Sequence, residues 1–204
     1  LIDNPEEAYS YINKKYNIQK DEKIFLFVGR INTLKNIFFI ANSLKELKEL
    51  NNHLKFKMLY VGSGQDEEKL KKWIKDNKME NEIILCGKVT DRKLLAEYYA
   101  RADLFLFPSL YDASSIVQIE AASQKTPTLF IEGSATTATI EDGRNGFLSE
   151  NNELEYAKKI IEIMENEKMY RDVSENCYKE LYKNWDDTIK EVYDKYKEFI
   201  DRRH

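Results

Sequence analysis

Two cations stand close together in VGRINTLKN (residues 28–36), where Arg30 and Lys35 follow Gly29 in one short connection ahead of an apolar stretch. Cations beside the start of a helix make an anion site, because the peptide N–H groups and the helix dipole add to the side-chain charge. Read alone, the same residues suit a solvated basic loop equally well. A second connection, VGSGQDEEKL (61–70), sets Gly62, Ser63 and Gly64 before another helical stretch. Glycine there also serves close strand-to-helix packing. The run does not complete G-x-G-x-x-G, so a hydride-transfer dinucleotide site is not favoured.

The most informative segment is FPSLYDASSIVQIEAASQKTP (107–127), which carries Asp112 in a loop and Glu120 on the helix that follows. Eight residues of helix span about 12 Å at about 1.5 Å per residue. That reach suits an extended ligand with a polyol at each end and a diphosphate between them, such as a nucleotide sugar. Two carboxylates would accept hydroxyl hydrogen bonds at its ends, and the helix N-terminus, capped by Ser114 or Ser115, would meet the diphosphate. A plainer reading makes Asp112 a loop cap and Glu120 a surface charge. Against it, Glu120 lies among Ile116, Val117, Ile119, Ala121 and Ala122, where a carboxylate is expected to be near-buried and in need of a partner.

The elements that must position these residues read as strand and helix in alternation. IFLFVG (24–29), FKMLYVG (56–62), EIILCG (82–87), ADLFLFP (102–108) and PTLFIEG (127–133) are continuous apolar runs, the pattern of strands covered on both faces. Between them, residues 36–50, 66–77 and 91–102 place apolar residues at helical spacing, and Asp91 is a plausible N-cap. The expectation is an α/β domain with a Rossmann-like, doubly wound, mostly parallel sheet. Beyond residue 153 the strands stop, and three extra C-terminal helices are predicted over 153–165, 169–183 and 186–200. The last carries Val192, Tyr196 and Ile200 on one face and is expected to pack on its own domain, with a bridge to another domain as the alternative. The core is predicted over about 20–185.

Composition narrows the function classes. The chain has 204 residues, of which 42% are hydrophobic, and its 32 Lys and Arg nearly balance 36 Asp and Glu. One domain of upper ordinary size fits that length, and no broad field is available for nucleic acid or an anionic membrane. Cys86 and Cys177 lack C-x-x-C spacing and are expected to be reduced thiols in a cytoplasmic protein. No run approaches the ~20 apolar residues of a membrane span, and no export leader is visible. A chain opening at Leu1 is expected to be a piece of something longer. His53 and His204 have no ligand partner at useful spacing, so no metal site is predicted.

Five motifs in order resemble the retaining, GT-B-fold glycosyltransferases of family 4, also described as glycosyl transferases group 1. Pro108, Ser109, Asp112, Glu120, Ala121 and Pro127 fall in register with that family's carboxylate-x7-carboxylate segment; Gly29, Arg30 and Lys35 match its G-R-L-x-x-x-K-G; and YVGSGQDEEKL (60–70) resembles its V-G-x-G segment. Gly87, Val89, Leu94, Tyr98, Ala102 and Asp103 match its third-strand stretch, and EDGRNGFL (141–148) is similar to its D-G-x-N-G-x-L.

The resemblance implies that this is the donor-binding, C-terminal half of a GT-B fold. It implies that Arg30 and Lys35 hold a donor diphosphate, that Glu120 binds ribose, and that Asp112 meets the transferred sugar. It further implies that backbone groups of Gly29, Gly62, Ala113, Ser114, Ser115, Ile116 and Val117 approach the donor, and that the turn of Lys88 and Val89 flanks the base. The donor would be a nucleoside diphosphate sugar, UDP types ahead of GDP types, and the step would need no metal or other cofactor. An N-terminal acceptor domain outside this chain would complete the enzyme and set any peripheral attachment to the inner face of the membrane; this half alone would be inactive. Asp112 stands where the family has glutamate, and Asn36, Ala113, Ser115 and Lys125 stand where it has glycine. These departures read as drift or altered donor preference. The alternatives are a non-catalytic nucleotide-sugar-binding or regulatory module, or another GT-B enzyme such as a nucleotide-sugar epimerase. A phosphoacceptor receiver is unlike this chain, which has Gly29 and Arg30 where acidic residues are wanted.

Overall fold

The computed structural model describes residues 2, 5–112, 116–182 and 185–201. Continuous apolar runs become six strands, β1 (Lys23–Val28), β2 (Phe56–Val61), β3 (Ile83–Gly87), β4 (Leu104–Phe107), β5 (Thr128–Ile131) and β6 (Phe147–Ser149). They form one sheet in the order β3-β2-β1-β4-β5-β6, and every neighbouring pair is parallel. Helices α1 (Pro5–Lys15), α2 (Ile37–Leu50), α3 (Glu67–Asp76), α4 (Arg92–Arg101), α5 (Ile116–Ser123), α6 (Glu153–Glu165), α7 (Glu167–Leu181) and α8 (Trp185–Asp201) complete it. The expected Rossmann-like, doubly wound sheet is what the chain forms.

Alternate residues of each strand feed two cores. Phe25 and Phe27 of β1 join α2, α3, α6 and α7 on one face, whereas Ile24, Leu26 and Val28 join α1, α4 and α5 on the other. All five are buried. This two-sided burial is why the strands read as unbroken apolar runs rather than as an alternation. Asp91 caps α4 by accepting from the N–H groups of Lys93 and Leu94, as its position predicted.

Two boundaries move. Helix α1 lies ahead of the predicted core, yet Ile12 is fully buried and packs with Ile18 in the second core, so the packed unit begins with α1 rather than near residue 20. Strand β6 was not predicted; three residues after a turn are too few to show a period. A third expectation is corrected. Helix α8 packs extensively against none of the other elements, and its Ile189, Val192, Tyr193, Tyr196, Phe199 and Ile200 are all exposed. The last helix therefore does not cover its own domain.

The strand order reverses between β1 and β4, and the chain leaves them toward opposite faces, by way of α2 and α5. Loops diverging from neighbouring parallel strands open a crevice at their carboxyl ends. The loops after β1 and β2, by contrast, continue the ladder beyond the strands: Gly29 N–H donates to Val61 O at 3.0 Å, Ile31 N–H to Ser63 O at 3.2 Å, and Asp66 N–H back to Ile31 O at 3.1 Å. Backbones this close leave no room for side chains. A Cβ on Gly62 would stand 1.8 Å from Gly29 O, and one on Gly64 would stand 2.3 Å from Ile31 O. Forcing a methyl into such a contact costs about 1–3 kcal/mol. Gly64→Ala is accordingly expected to lower stability by that amount, read as a reduced midpoint in urea; an unchanged midpoint would show that the two loops can separate freely.

Candidate functional site

The zipped loops form the floor of a cleft of about 560 Å³ at the carboxyl ends of β1, β2 and β3. Gly29, Arg30, Gly62, Lys88 and Val89 of the predicted set line it, together with Asn32, Ser63, Gly64 and Gln65, which the predicted set left out. The signal for these additions was the G-S-G run itself: where glycine lets two backbones touch, the polar residues beside it are carried to the same edge. Arg30 and Lys88 are exposed there, and neither side chain has an ion-pair or hydrogen-bond partner among the described residues. Two uncompensated cations over a floor rich in backbone groups favour an anion.

Asp66 fastens this floor. Its Oδ2 accepts from both the N–H and the hydroxyl of Thr33, each at 2.9 Å, and its Oδ1 accepts from Lys69 Nζ at 2.7 Å. Although it stands at the N-cap position of α3, this carboxylate makes no capping bond there and reaches across to the β1 loop. Lys69 first, and then the two Thr33 donors, hold its carboxyl down at about 2.

Lys35 and Asp112 meet at the crevice between β1 and β4. Lys35 Nζ donates to both carboxylate oxygens of Asp112, at 2.6 and 2.7 Å. Burial pushes the Asp112 carboxyl up, but hydrogen bonds from Lys35 and from buried Ser109, with the Lys35 charge, outweigh it and hold the group below the usual range. The resemblance assigned these residues to different parts of one ligand, Lys35 to the diphosphate and Asp112 to the sugar; here they are each other's counter-ion. Asn36 ties the same two loops together, its Nδ2 donating to Pro108 O at 3.1 Å. Its φ of 58° explains why the resemblance has glycine here, and asparagine is the residue that best tolerates that conformation. Lys125 also stands in for a glycine at positive φ, 61°, and is held by Glu175 at 2.6 Å rather than being a freely solvated cation.

Glu120 lies on the second turn of α5, half-buried and partnered as expected. Its Oε1 accepts from Arg92 Nη1 at 2.6 Å and its Oε2 from the Tyr99 hydroxyl at 3.1 Å. Neither partner was singled out by the sequence. Ile116 is exposed, and Val117 packs at the edge of the second core; neither lines the cleft, nor do Lys35, Asp112 and Glu120. Ala113, Ser114 and Ser115 lie outside the described residues. Cys86 and Cys177 are free thiols, pushed up by burial to about 11 and about 12. Among the described residues no group of His, Cys, Asp and Glu could hold a metal ion, and no helix is long and apolar enough to cross a membrane.

A family model described as glycosyl transferases group 1 matches residues 10–180. The alpha-monoglucosyldiacylglycerol synthase of Acholeplasma laidlawii is 28% identical over 84% of this chain and 42% of its own length. The poly(glycerol-phosphate) alpha-glucosyltransferase of Bacillus subtilis is 26% identical over 80% of this chain and 24% of its own length. The chain thus spans less than half the length of these curated relatives. In fold it resembles Anabaena HepE crystallised with UDP and glucose, at a TM-score of 0.73 and 17% identity over 85% of this chain and 46% of that one. It also resembles the C-terminal domain of a glycosyl transferase group 1 family protein from Francisella tularensis, at a TM-score of 0.69 and 18% identity over 87% of this chain and 91% of that one.

Two outcomes follow from the titrating groups. A carboxyl held at about 2 in the folded state stabilises it fully above its unfolded pKa of about 3.9, and that contribution is lost as pH falls between those values. Asp66→Asn should therefore flatten the loss of stability between about pH 4 and pH 2 in acid titrations followed by circular dichroism. For Asp112, removing the cation leaves burial as the dominant influence. In Lys35→Ala the Asp112 carboxyl, followed by NMR, should titrate at a higher pH than in the parent chain, and an unmoved titration would mean the ion pair does not persist in solution.

Proposed function

We infer, from the premise that the chain belongs to the glycosyl transferases group 1 family, that it is the donor-binding domain of a retaining glycosyltransferase of the hexosyltransferase type. Its donor on this reading is a nucleoside diphosphate sugar, UDP ahead of GDP. The observation that carries the proposal is the pair of cations, Arg30 and Lys88, without a partner among the described residues, above a glycine-built floor at the carboxyl ends of parallel strands. A diphosphate is the anion that such a floor accommodates, because backbone groups approach it closely while Arg30 meets its charge and Lys88 adds to the positive field of the cleft.

Roles follow position by position. Arg30 and Lys35 take the diphosphate, with Lys35 exchanging its Asp112 partner for phosphate oxygens when donor binds. Asp112 is thereby released toward the sugar, and Glu120 accepts the ribose hydroxyls. The turn of Lys88 and Val89 flanks the base. As the glycosidic bond breaks, negative charge grows on the departing diphosphate, and cations already in place stabilise that change without reorganisation. In this proposal no metal takes part in the step. Retention of configuration agrees with relatives whose names describe alpha-linked products, since nucleotide hexoses such as UDP-glucose are themselves alpha-linked. UDP as the nucleotide agrees with the complex named for HepE.

The acceptor on this reading belongs to an N-terminal domain outside the chain, and the exposed apolar face of α8, with Val192, Tyr196 and Phe199, is the surface we assign to it. Calorimetry of the chain with UDP-, GDP- and ADP-glucose tests the core claim. Binding of UDP-glucose is expected, weakened about tenfold or more in Arg30→Ala, as for loss of a charge-assisted bond. Absence of binding by the folded chain to all three would overturn the proposal in favour of a non-catalytic module.

A further inference from the structure

We propose that Tyr99 is a positioning residue for donor recognition: its buried hydroxyl fixes the Glu120 carboxylate so that one lone pair on each oxygen stays free for the two hydroxyls of a ribose cis-diol. The inference rests on the assignment of Glu120 to ribose and goes beyond it by naming what aims the carboxylate.

Tyr99 is held more firmly than Arg92, the other side-chain partner of Glu120 among the described residues. It is 1% exposed, its ring meets Phe105 of β4 edge-on at 5.6 Å between centroids, and its carbonyl accepts from Thr126 Oγ1 at 2.6 Å. Strand β4 and the connection into β5 therefore hold Tyr99 in place, and α5 brings Glu120 to its phenol oxygen. Burial, and next the charge and hydrogen bond of Glu120, raise the Tyr99 pKa well above its ordinary value, so the phenol keeps its proton and acts as a donor at all working pH values.

Arg92 is seven residues earlier on the same helix, two turns away and on the same face, and it takes the other oxygen. Its side chain is 82% exposed, against 23% for Glu120. An ion pair so open to water is screened and contributes little, whereas a hydrogen bond from a buried, fixed donor to a charged acceptor contributes more. An ionised carboxylate offers about four lone-pair sites. With Tyr99 on Oε2 and Arg92 on Oε1, each oxygen retains one. Without Tyr99 the carboxylate could rotate toward Arg92 and solvent, and the pair of free sites would lose its fixed direction.

The helix that carries Tyr99 begins at Arg92, three positions after Val89 of the turn on the cleft wall. The base-flanking turn thus leads, through the Asp91 cap, into α4, the helix that carries the ribose-aiming tyrosine.

The test measures dissociation constants of the full chain for UDP and for 2′,3′-dideoxy-UDP in the parent, Tyr99→Phe and Arg92→Gln. The parent should prefer UDP. Tyr99→Phe should weaken UDP about tenfold and leave the dideoxy compound unchanged, erasing most of the preference, while Arg92→Gln should change it less than about threefold. A purely structural role for Tyr99 would weaken both ligands together, or neither, and that outcome overturns the proposal while leaving the ribose assignment intact. Absence of any preference in the parent overturns the ribose assignment itself, and this proposal with it. Should Tyr99→Phe fail to fold, a loss of preference in Arg92→Gln larger than threefold overturns the division of roles, and a smaller one supports it.

Discussion

The contact on which the rest of the site depends is between two backbones. Gly62 and Gly64 let the loop after β2 lie against the loop after β1 at a distance that no side chain permits. The ladder of the sheet consequently runs on past the strands, through Gly29, Ile31 and Ser63, into what would otherwise be open turns. That extension is what converts two loop tips into a floor. Asp66 then locks it from the side, its carboxylate held by Thr33 and by the Lys69 side chain rather than by the backbone N–H groups of the helix it precedes.

Charge is distributed around that floor unequally, and the inequality has a structural origin. Arg30 and Lys88 project from the ends of β1 and β3, where no acidic side chain reaches them among the described residues. Lys35 projects at the crevice where β1 and β4 diverge, and there Asp112 is within direct reach. Glu120 is satisfied in turn by Arg92 and Tyr99 from α4. The edge of the sheet therefore holds two free cations and two paired carboxylates. An anion meets Arg30 and Lys88 without breaking a pair, whereas reaching Lys35 displaces Asp112, and the carboxylates impose a geometry on whatever else approaches.

The departures from the family's glycine pattern separate by the same physics. Asn36 occupies a left-handed position that asparagine tolerates, and it repays the substitution with a bond to Pro108. Lys125 occupies another, where its N–H donates to Ala122 O, its side chain pairs with Glu175 and its carbonyl accepts from Ser174. Both substitutions are thus conformational accommodations at the ends of connections, outside the cleft lining. The shorter Asp112 is different in kind, since it determines where the Lys35 ammonium rests.

The sequence by itself determined the sheet class, five of the six strands, the cap of α4 and the presence of cations at strand ends. These are local or periodic properties: apolar runs covered on both faces, helical spacing and turn residues are written into neighbouring positions. It could not reveal β6, too short to carry a period, or the burial of α1, whose fully buried Ile12 makes no pattern of its own. Nor could it tell that α8 would leave its apolar face uncovered, because an amphipathic period states that a face must be buried but not against what. Pairing was decided only in three dimensions. Asp112 with Lys35, Glu120 with Tyr99 and Arg92, and Asp66 with Thr33 join residues 77, 21, 28 and 33 positions apart. Such distances are closed by the order in which parallel strands lie side by side, and no spacing along the chain encodes that order.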